Sequence, residues 1–141
     1  LIQKHQLNEH QILAFLLLAD HVGRQVENDM DVTQPLRLLV TGPGGTGKSR
    51  IFEAWSEFHL RLGRLHEFRL TAPTGVVASD IGGCTVHAEV ALRVKRETMR
   101  ANTPAGQKVR TQLERRLSPL KTLVVDEIYF MDPKDMSLLS E

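Results

Sequence analysis

Gly42, Gly44, Gly45, Thr46, Gly47, Lys48 and Ser49 stand in the pattern G-x-x-x-x-G-K-S. These residue types at this spacing suit one task, the grip of a phosphate chain. Backbone N–H groups must curl around phosphate oxygens, and glycines supply the dihedrals and the clearance. The loop opens onto a helix, whose first N–H groups and macrodipole favour anions. Lys48 adds a positive charge at the β/γ-phosphates, and Ser49 offers a hydroxyl to Mg²⁺. A second group follows in LVVDEIYFMD. An apolar run that ends in Asp126-Glu127, downstream of such a loop, fits the Walker B arrangement. Asp126 can then reach Mg²⁺ through its water shell, and Glu127 can orient and deprotonate a water. A third group is Thr71-Ala72-Pro73-Thr74-Gly75. Its hydroxyls and N–H groups suit phosphate oxygens, and Thr74 equally suits the N-cap of a following helix.

These residues need elements to hold them. Leu36 to Thr41 is long enough for one buried strand ahead of the loop. Ile51, Phe52, Trp55, Phe58 and Leu62 then recur at helical spacing, which predicts a helix from Gly47 to about Leu62, with Gly63 just past its end. Upstream, Asn8 to about Val26 reads as a helix. Asn8 and Gln11 form a capping box ahead of an apolar stripe of Ile12, Leu13, Leu16, Leu17 and Ala19. Glu27 to Pro35 is a loop. Glu67 to Thr71 predicts a second strand. A turn, a short helix, a break at Gly82-Gly83 and another short helix follow. Lys95 to Gly106 reads as a loop, Gln107 to Leu117 as a basic helix, and Leu120 to Val125 as a third strand. Alternating strands and helices predict an α/β domain with a parallel sheet and helices on both faces.

Composition sets the outer limits. With 141 residues, 41% hydrophobic and 25% charged, the chain has the make-up of one globular domain. Its longest apolar runs fall far short of a membrane span, and its first residues are not a signal peptide. The lone cysteine, Cys84, excludes an internal disulfide and suits a reducing, intracellular compartment; it reads as a small packing residue. Net charge is +1 but uneven. The segment from Arg93 to Arg116 carries +6, and the remainder carries −5. That segment is either a solvated helix face or the electrostatic footprint of a nucleic acid.

In order along the chain, TGPGGTGKS, TAPTGVVASDIGGCTVHA and LVVDEIYFMD resemble motifs I, Ia and II of the Pif (petite integration frequency) DNA helicases. These are superfamily 1 enzymes that move 5′ to 3′ on single-stranded DNA. LNEHQILAF resembles the family's Q motif. The helicase-like domains of some eukaryotic rolling-circle transposons are similar too. The resemblance implies a P-loop NTPase (RecA-like) fold, incomplete at the C-terminus, with residues 1–141 forming part of a first motor domain and a second motor domain expected elsewhere in the full-length protein. It implies ATP as substrate with Mg²⁺, and single-stranded DNA or DNA forks as partners. It also implies roles in repair, recombination or telomere maintenance, and a nuclear or mitochondrial location.

Residue by residue, the resemblance gives Gln11 to adenine. Gly42, Gly44, Gly45, Thr46, Gly47, Lys48 and Ser49 go to the nucleotide, and Thr74, Gly75 and His87 to DNA. Ser49 and Asp126 hold Mg²⁺, and Lys48, Asp126 and Glu127 serve catalysis. Gln11 has a second reading as the capping-box residue, and His87 as a structural histidine. Two positions depart from the family pattern: Ala88 and Tyr129 stand where serine is usual. The chain reads as an N-terminal fragment. Two alternatives stand beside the helicase: a non-motor P-loop ATPase, and a catalytically dead, transposon-derived remnant that binds nucleotide.

Overall fold

The structure, a computed structural model, describes residues 1–28, 35–90 and 103–139. The chain divides into two compact units, Leu1–Leu65 and His66–Glu141.

The first unit pairs α1 (Glu9–Asn28) with α2 (Lys48–Arg61). The capping box starts α1 as its sequence predicts. Asn8 Oδ1 accepts from Gln11 N at 3.0 Å, and Gln11 Oε1 accepts from Asn8 N at 2.8 Å. The buried face differs from the expected stripe. Gln11, Ala14, Phe15, Leu18 and Val22 are buried, whereas Leu13, Leu16 and Leu17 are exposed. On α2, Ile51, Phe52, Ala54 and Trp55 are buried. Phe15 meets Phe58 edge to face, with ring centroids 5.8 Å apart. Gly63, at φ 70°, ends α2, with Gly63 N donating to Leu60 O and Arg64 N to His59 O.

The strand expected at Leu36–Thr41 is not formed. Residues 35–43 are irregular, and Leu39 is 68% exposed. A strand exists by pairing its N–H and C=O groups with a neighbour. The described sheet has three strands, β2-β1-β3, and this segment is not among them.

The second unit holds that sheet. β1 (Phe68–Ala72) lies between β2 (Cys84–Thr85) and β3 (Thr122–Val125), parallel to both. Thr71 is opposite Cys84 on one side and Val125 on the other. The expected strand pair at the second and third apolar runs is therefore present, and the two-residue β2 adds a strand that its length hid from the sequence. Between β1 and β2 run α3 (Gly75–Asp80) and the Gly82-Gly83 break, and α4 (Val86–Glu89) follows β2.

Gly82, at φ 65°, donates to Ser79 O, and Gly83 N donates to Ala78 O at 2.8 Å. This is a Schellman-type end. A Cβ on Gly83 would press into the Leu70 carbonyl, 2.8 Å from its carbon and 3.1 Å from Leu70 Cβ. The second glycine thus lets the chain cross directly against β1.

The basic helix, α5 (Pro104–Leu117), begins earlier than expected. Thr103 caps it by accepting from Gly106 N, and Pro104 takes the first turn, where its missing N–H costs nothing. The rest of the predicted Lys95–Gly106 loop lies mostly outside the described residues. A 3₁₀ turn (Ile128–Phe130) and α6 (Pro133–Leu139) follow β3. Val86, Val90 and Met131 form a buried apolar cluster with Leu117, Leu123, Val125 and Ile128 packed around it. No helix among the described residues is long and apolar enough to cross a membrane.

Candidate functional site

In the first unit the glycine-rich loop turns into α2 through two left-handed residues, Gly45 at φ 75° and Gly47 at φ 80°. A side chain at either position would be strained. Gly47 is the N-cap and leaves the Lys48 and Ser49 N–H groups without a side-chain cap, while Arg50 N donates to Gly47 O at 3.1 Å. Nothing lies within 4 Å of where a Cβ on Gly44 or Gly45 would stand. Both glycines are exposed.

Lys48 Nζ donates to Gly42 O at 3.0 Å and Pro43 O at 3.1 Å. An ammonium on neutral carbonyls exchanges favourably onto an anion, because charge-assisted bonds are stronger. Ser49 is exposed in the first turn of α2. Glycine clearance, open N–H groups, a cation and a hydroxyl all fit a nucleotide phosphate with Mg²⁺.

Gln11 is 7% exposed, and both ends of its amide are engaged. Nε2 donates to Thr46 O at 3.1 Å and to Gly47 O at 3.0 Å, while Oε1 completes the capping box. A Cβ on Gly47 would come 2.9 Å from that Nε2. Gln11 thus braces the loop at its entry into α2. Thr46 Oγ1 donates to Pro43 O at 2.9 Å and tightens the same turn.

In the second unit Asp126 follows β3 directly. Its N–H donates to Thr71 O at 2.8 Å, and Thr71 Oγ1 donates to Val124 O at 2.7 Å. Thr71 is fully buried, so Asp126 is fixed at the carboxyl end of the sheet, where open parallel sheets place their ligands. Asp126 Oδ1 accepts from Glu127 N at 2.9 Å. Glu127 is left-handed, at φ 51° and ψ 41°. A non-glycine residue there stores strain of about 1 kcal/mol or more, a feature that clusters at functional sites. The Glu127 carboxylate near the Tyr129 hydroxyl pushes the phenol above its usual pKa. Tyr129 is 74% exposed, and its ring lies 4.6 Å from that of Phe130.

Thr74 and Gly75 lie just past β1. Thr74 Oγ1 caps α3 by accepting from Val77 N at 3.4 Å, so its capping role is realised. Thr85 caps α4 in the same way, from Ala88 N at 3.2 Å. His87 Nε2 meets Asp135 Oδ2 at 2.9 Å, and Asp135 is buried.

A second buried carboxylate, Glu89, ties four elements together. It accepts from Cys84 Sγ at 3.3 Å, pairs with Arg69 at 3.2 Å and pairs with Arg116 at 3.1 Å. Burial alone would raise the Glu89 carboxyl. The bonds from Cys84 and Arg116, with the charges of Arg116 and Arg69, hold it below its ordinary value instead. Burial and the Glu89 carboxylate push the Cys84 thiol up, so Cys84 is a donor in the core and a poor nucleophile.

Helix α5 buries none of its residues. Arg110 pairs with Glu114 and Arg116 with Glu89. Arg93, Lys95, Arg96 and Arg100 of the basic segment lie outside the described residues. Asp135 and Glu89 have no place in the sequence motifs, and Tyr129 enters them as a departure from the family pattern. Only that departure carried a signal, because a phenol two residues past a carboxylate can reach it.

A family model described as PIF1-like helicase matches residues 18–139. A curated viral protein, "Uncharacterized protein 030L" of Invertebrate iridescent virus 6, is 25% identical over 101 residues. That alignment covers 71% of this chain and 19% of the viral protein, so the chain spans only a small part of that relative. No solved structure matches the chain.

Proposed function

The chain belongs to the PIF1-like helicase family, and from that premise we propose that it is the ATP-handling first motor segment of a 5′-to-3′ DNA helicase. The observation that carries this reading is the loop at residues 42–49. Its Gly44 and Gly45 are exposed, Gln11 backs it, and the Lys48 ammonium rests on the Gly42 and Pro43 carbonyls. In the proposal Gly42, Gly44, Gly45, Thr46 and Gly47 surround the phosphates, and Lys48 neutralises charge that develops on them. Ser49 of the first unit and Asp126 of the second are the residues that would hold Mg²⁺, which would polarise the phosphates and screen their charge. Gln11 is the residue the family gives to adenine.

Glu127 accepts a proton from the attacking water. Its left-handed backbone and the bond from its N–H to Asp126 Oδ1 fix the residue that carries that carboxylate. Phosphoryl transfer rests on such positioning and electrostatics rather than on a covalent intermediate. Thr74, Gly75 and His87 are the proposed contacts to single-stranded DNA, and α5 adds positive charge. A second motor domain elsewhere in the full-length protein supplies the other side of the motor, in repair, recombination or telomere maintenance.

Titration with Mg-ATP tests the phosphate grip. Lys48→Ala is expected to weaken binding by about tenfold or more, whereas Glu127→Gln keeps wild-type affinity and loses turnover. Equal affinity in wild type and Lys48→Ala overturns the assignment.

A further inference from the structure

We infer that Asp135, acting through His87, is the positioning residue that links the proposed DNA segment to the Asp126-Glu127 carboxylates. The inference rests on the reading above and deepens it, because it assigns the link between two parts of the second unit. His87 lies on α4, one residue past the buried Val86 and two past Thr85, which caps the helix. Asp135 lies on α6, and its carboxylate is 2.9 Å from His87 Nε2. Asp135 is 7% exposed. A buried carboxylate depends on its partners, and losing one leaves an uncompensated charge.

The pair does not act alone. Next to His87 in the chain, Val86 of α4 packs with Val90, which caps that helix, and with Met131, the residue that joins the 3₁₀ turn to α6. Met131 N donates to Ile128 O at 3.0 Å, and Phe130 N donates to Glu127 O at 3.0 Å. Only this one turn separates Met131 from Glu127. At the other end, Thr85 and Cys84 form β2, whose partner β1 runs straight into Thr74 and Gly75. Contacts therefore lead from β1, just ahead of Thr74, through β2 and Val86 to Met131 and its turn at Glu127, and the His87–Asp135 bond ties α4 to α6 beside them. Glu127 is held in a sparsely populated backbone region, so a small shift of Met131 has a conformational alternative to drive it into. DNA drawn onto the Thr74–His87 segment moves α4, and α4 carries the His87–Asp135 bond with it.

Coupling of this kind is a free energy, equal in both directions, and it is measurable. The 141-residue chain is titrated onto a fluorescent oligo-dT strand, with and without saturating Mg²⁺ and a non-hydrolysable ATP analogue. The ratio of the two dissociation constants is the coupling factor. Wild type is expected to give a factor of about fivefold or more, the usual lower bound for linked sites. His87→Ala and Asp135→Ala are expected to bring it to within about twofold of unity, and Asp135→Ala is expected to change nucleotide-free DNA affinity by less than about threefold. The double variant is expected to match either single one. His87→Gln places an amide donor at the reach of Nε2 and is expected to restore the factor, which a general loss of packing would not allow. Asp135→Asn keeps the buried shape and an acceptor, and serves if the alanine variant fails to fold.

Wild-type coupling that persists in His87→Ala and Asp135→Ala overturns this inference and leaves the proposed function standing. Loss of DNA affinity in His87→Ala, with wild-type coupling kept in Asp135→Ala, also overturns it and leaves His87 as a DNA contact alone. Wild type that binds neither ligand, or binds both without coupling, overturns the inference and the proposed function together.

Discussion

Gly83 has no room for a side chain, because a Cβ there would press into the Leu70 carbonyl of β1. Backbone cannot yield as a flexible side chain can, so Gly83→Ala is expected to cost about 1–3 kcal/mol in chemical denaturation. Gly75→Ala is the control: nothing lies within 4 Å of its Cβ position, and it opens a helix with φ outside the left-handed region. That variant is expected to stay within about 1 kcal/mol of wild type or gain slightly. An equal loss in both would contradict this account of the Gly82-Gly83 break. At this scale the sequence is legible where backbone conformation dictates residue type. The P-loop glycines, the Asn8–Gln11 box and the caps at Thr74 and Gly63 could all be read from spacing. Gln11 shows the limit. Its capping role was visible, while its two bonds to the Thr46 and Gly47 carbonyls join residues far apart in sequence. Asp135 was invisible for the same reason, since its partner His87 lies on another helix.

The segment ahead of α1 is tied to α2 by charge-assisted bonds. Glu57 on α2 accepts from Lys4 at 2.8 Å and from Arg61 at 2.6 Å, and bonds His5 at 2.7 Å. The bond from Lys4 first, then those from Arg61 and His5, hold its carboxyl at about 2 rather than the ordinary 4.5. The folded chain therefore binds this proton less readily than the unfolded chain. The contribution is fully present above pH 4.5 and is lost as pH falls toward about 2. Thermal midpoints measured against pH are expected to show wild type above Glu57→Gln at neutral pH, with the gap closing between pH 4.5 and 2. A gap independent of pH over that range would contradict the assignment. The elements also show where sequence periodicity misleads. Leu36 to Thr41 has the composition of a buried strand, yet no described strand offers it a ladder. Apolar spacing on α1 pointed to Leu13, Leu16 and Leu17, while burial follows Gln11, Ala14, Phe15, Leu18 and Val22. An apolar run records what a segment is able to bury, and only its neighbours decide which side is covered.

On the scale of the whole molecule, the chemistry is divided between the two units. Leu1–Leu65 carries the phosphate loop and its Gln11 brace, and His66–Glu141 carries the carboxylates and the proposed DNA segment. The family match over residues 18–139 spans both. The account's central claim is that ATP hydrolysis in this chain depends on Lys48 and responds to DNA. Steady-state ATP turnover, measured with and without single-stranded DNA in wild type and Lys48→Ala, tests it directly. The account predicts a low basal rate that single-stranded DNA raises severalfold, and a loss of about a hundredfold in Lys48→Ala under both conditions. A rate that Lys48→Ala leaves unchanged, or that single-stranded DNA does not move, would contradict it.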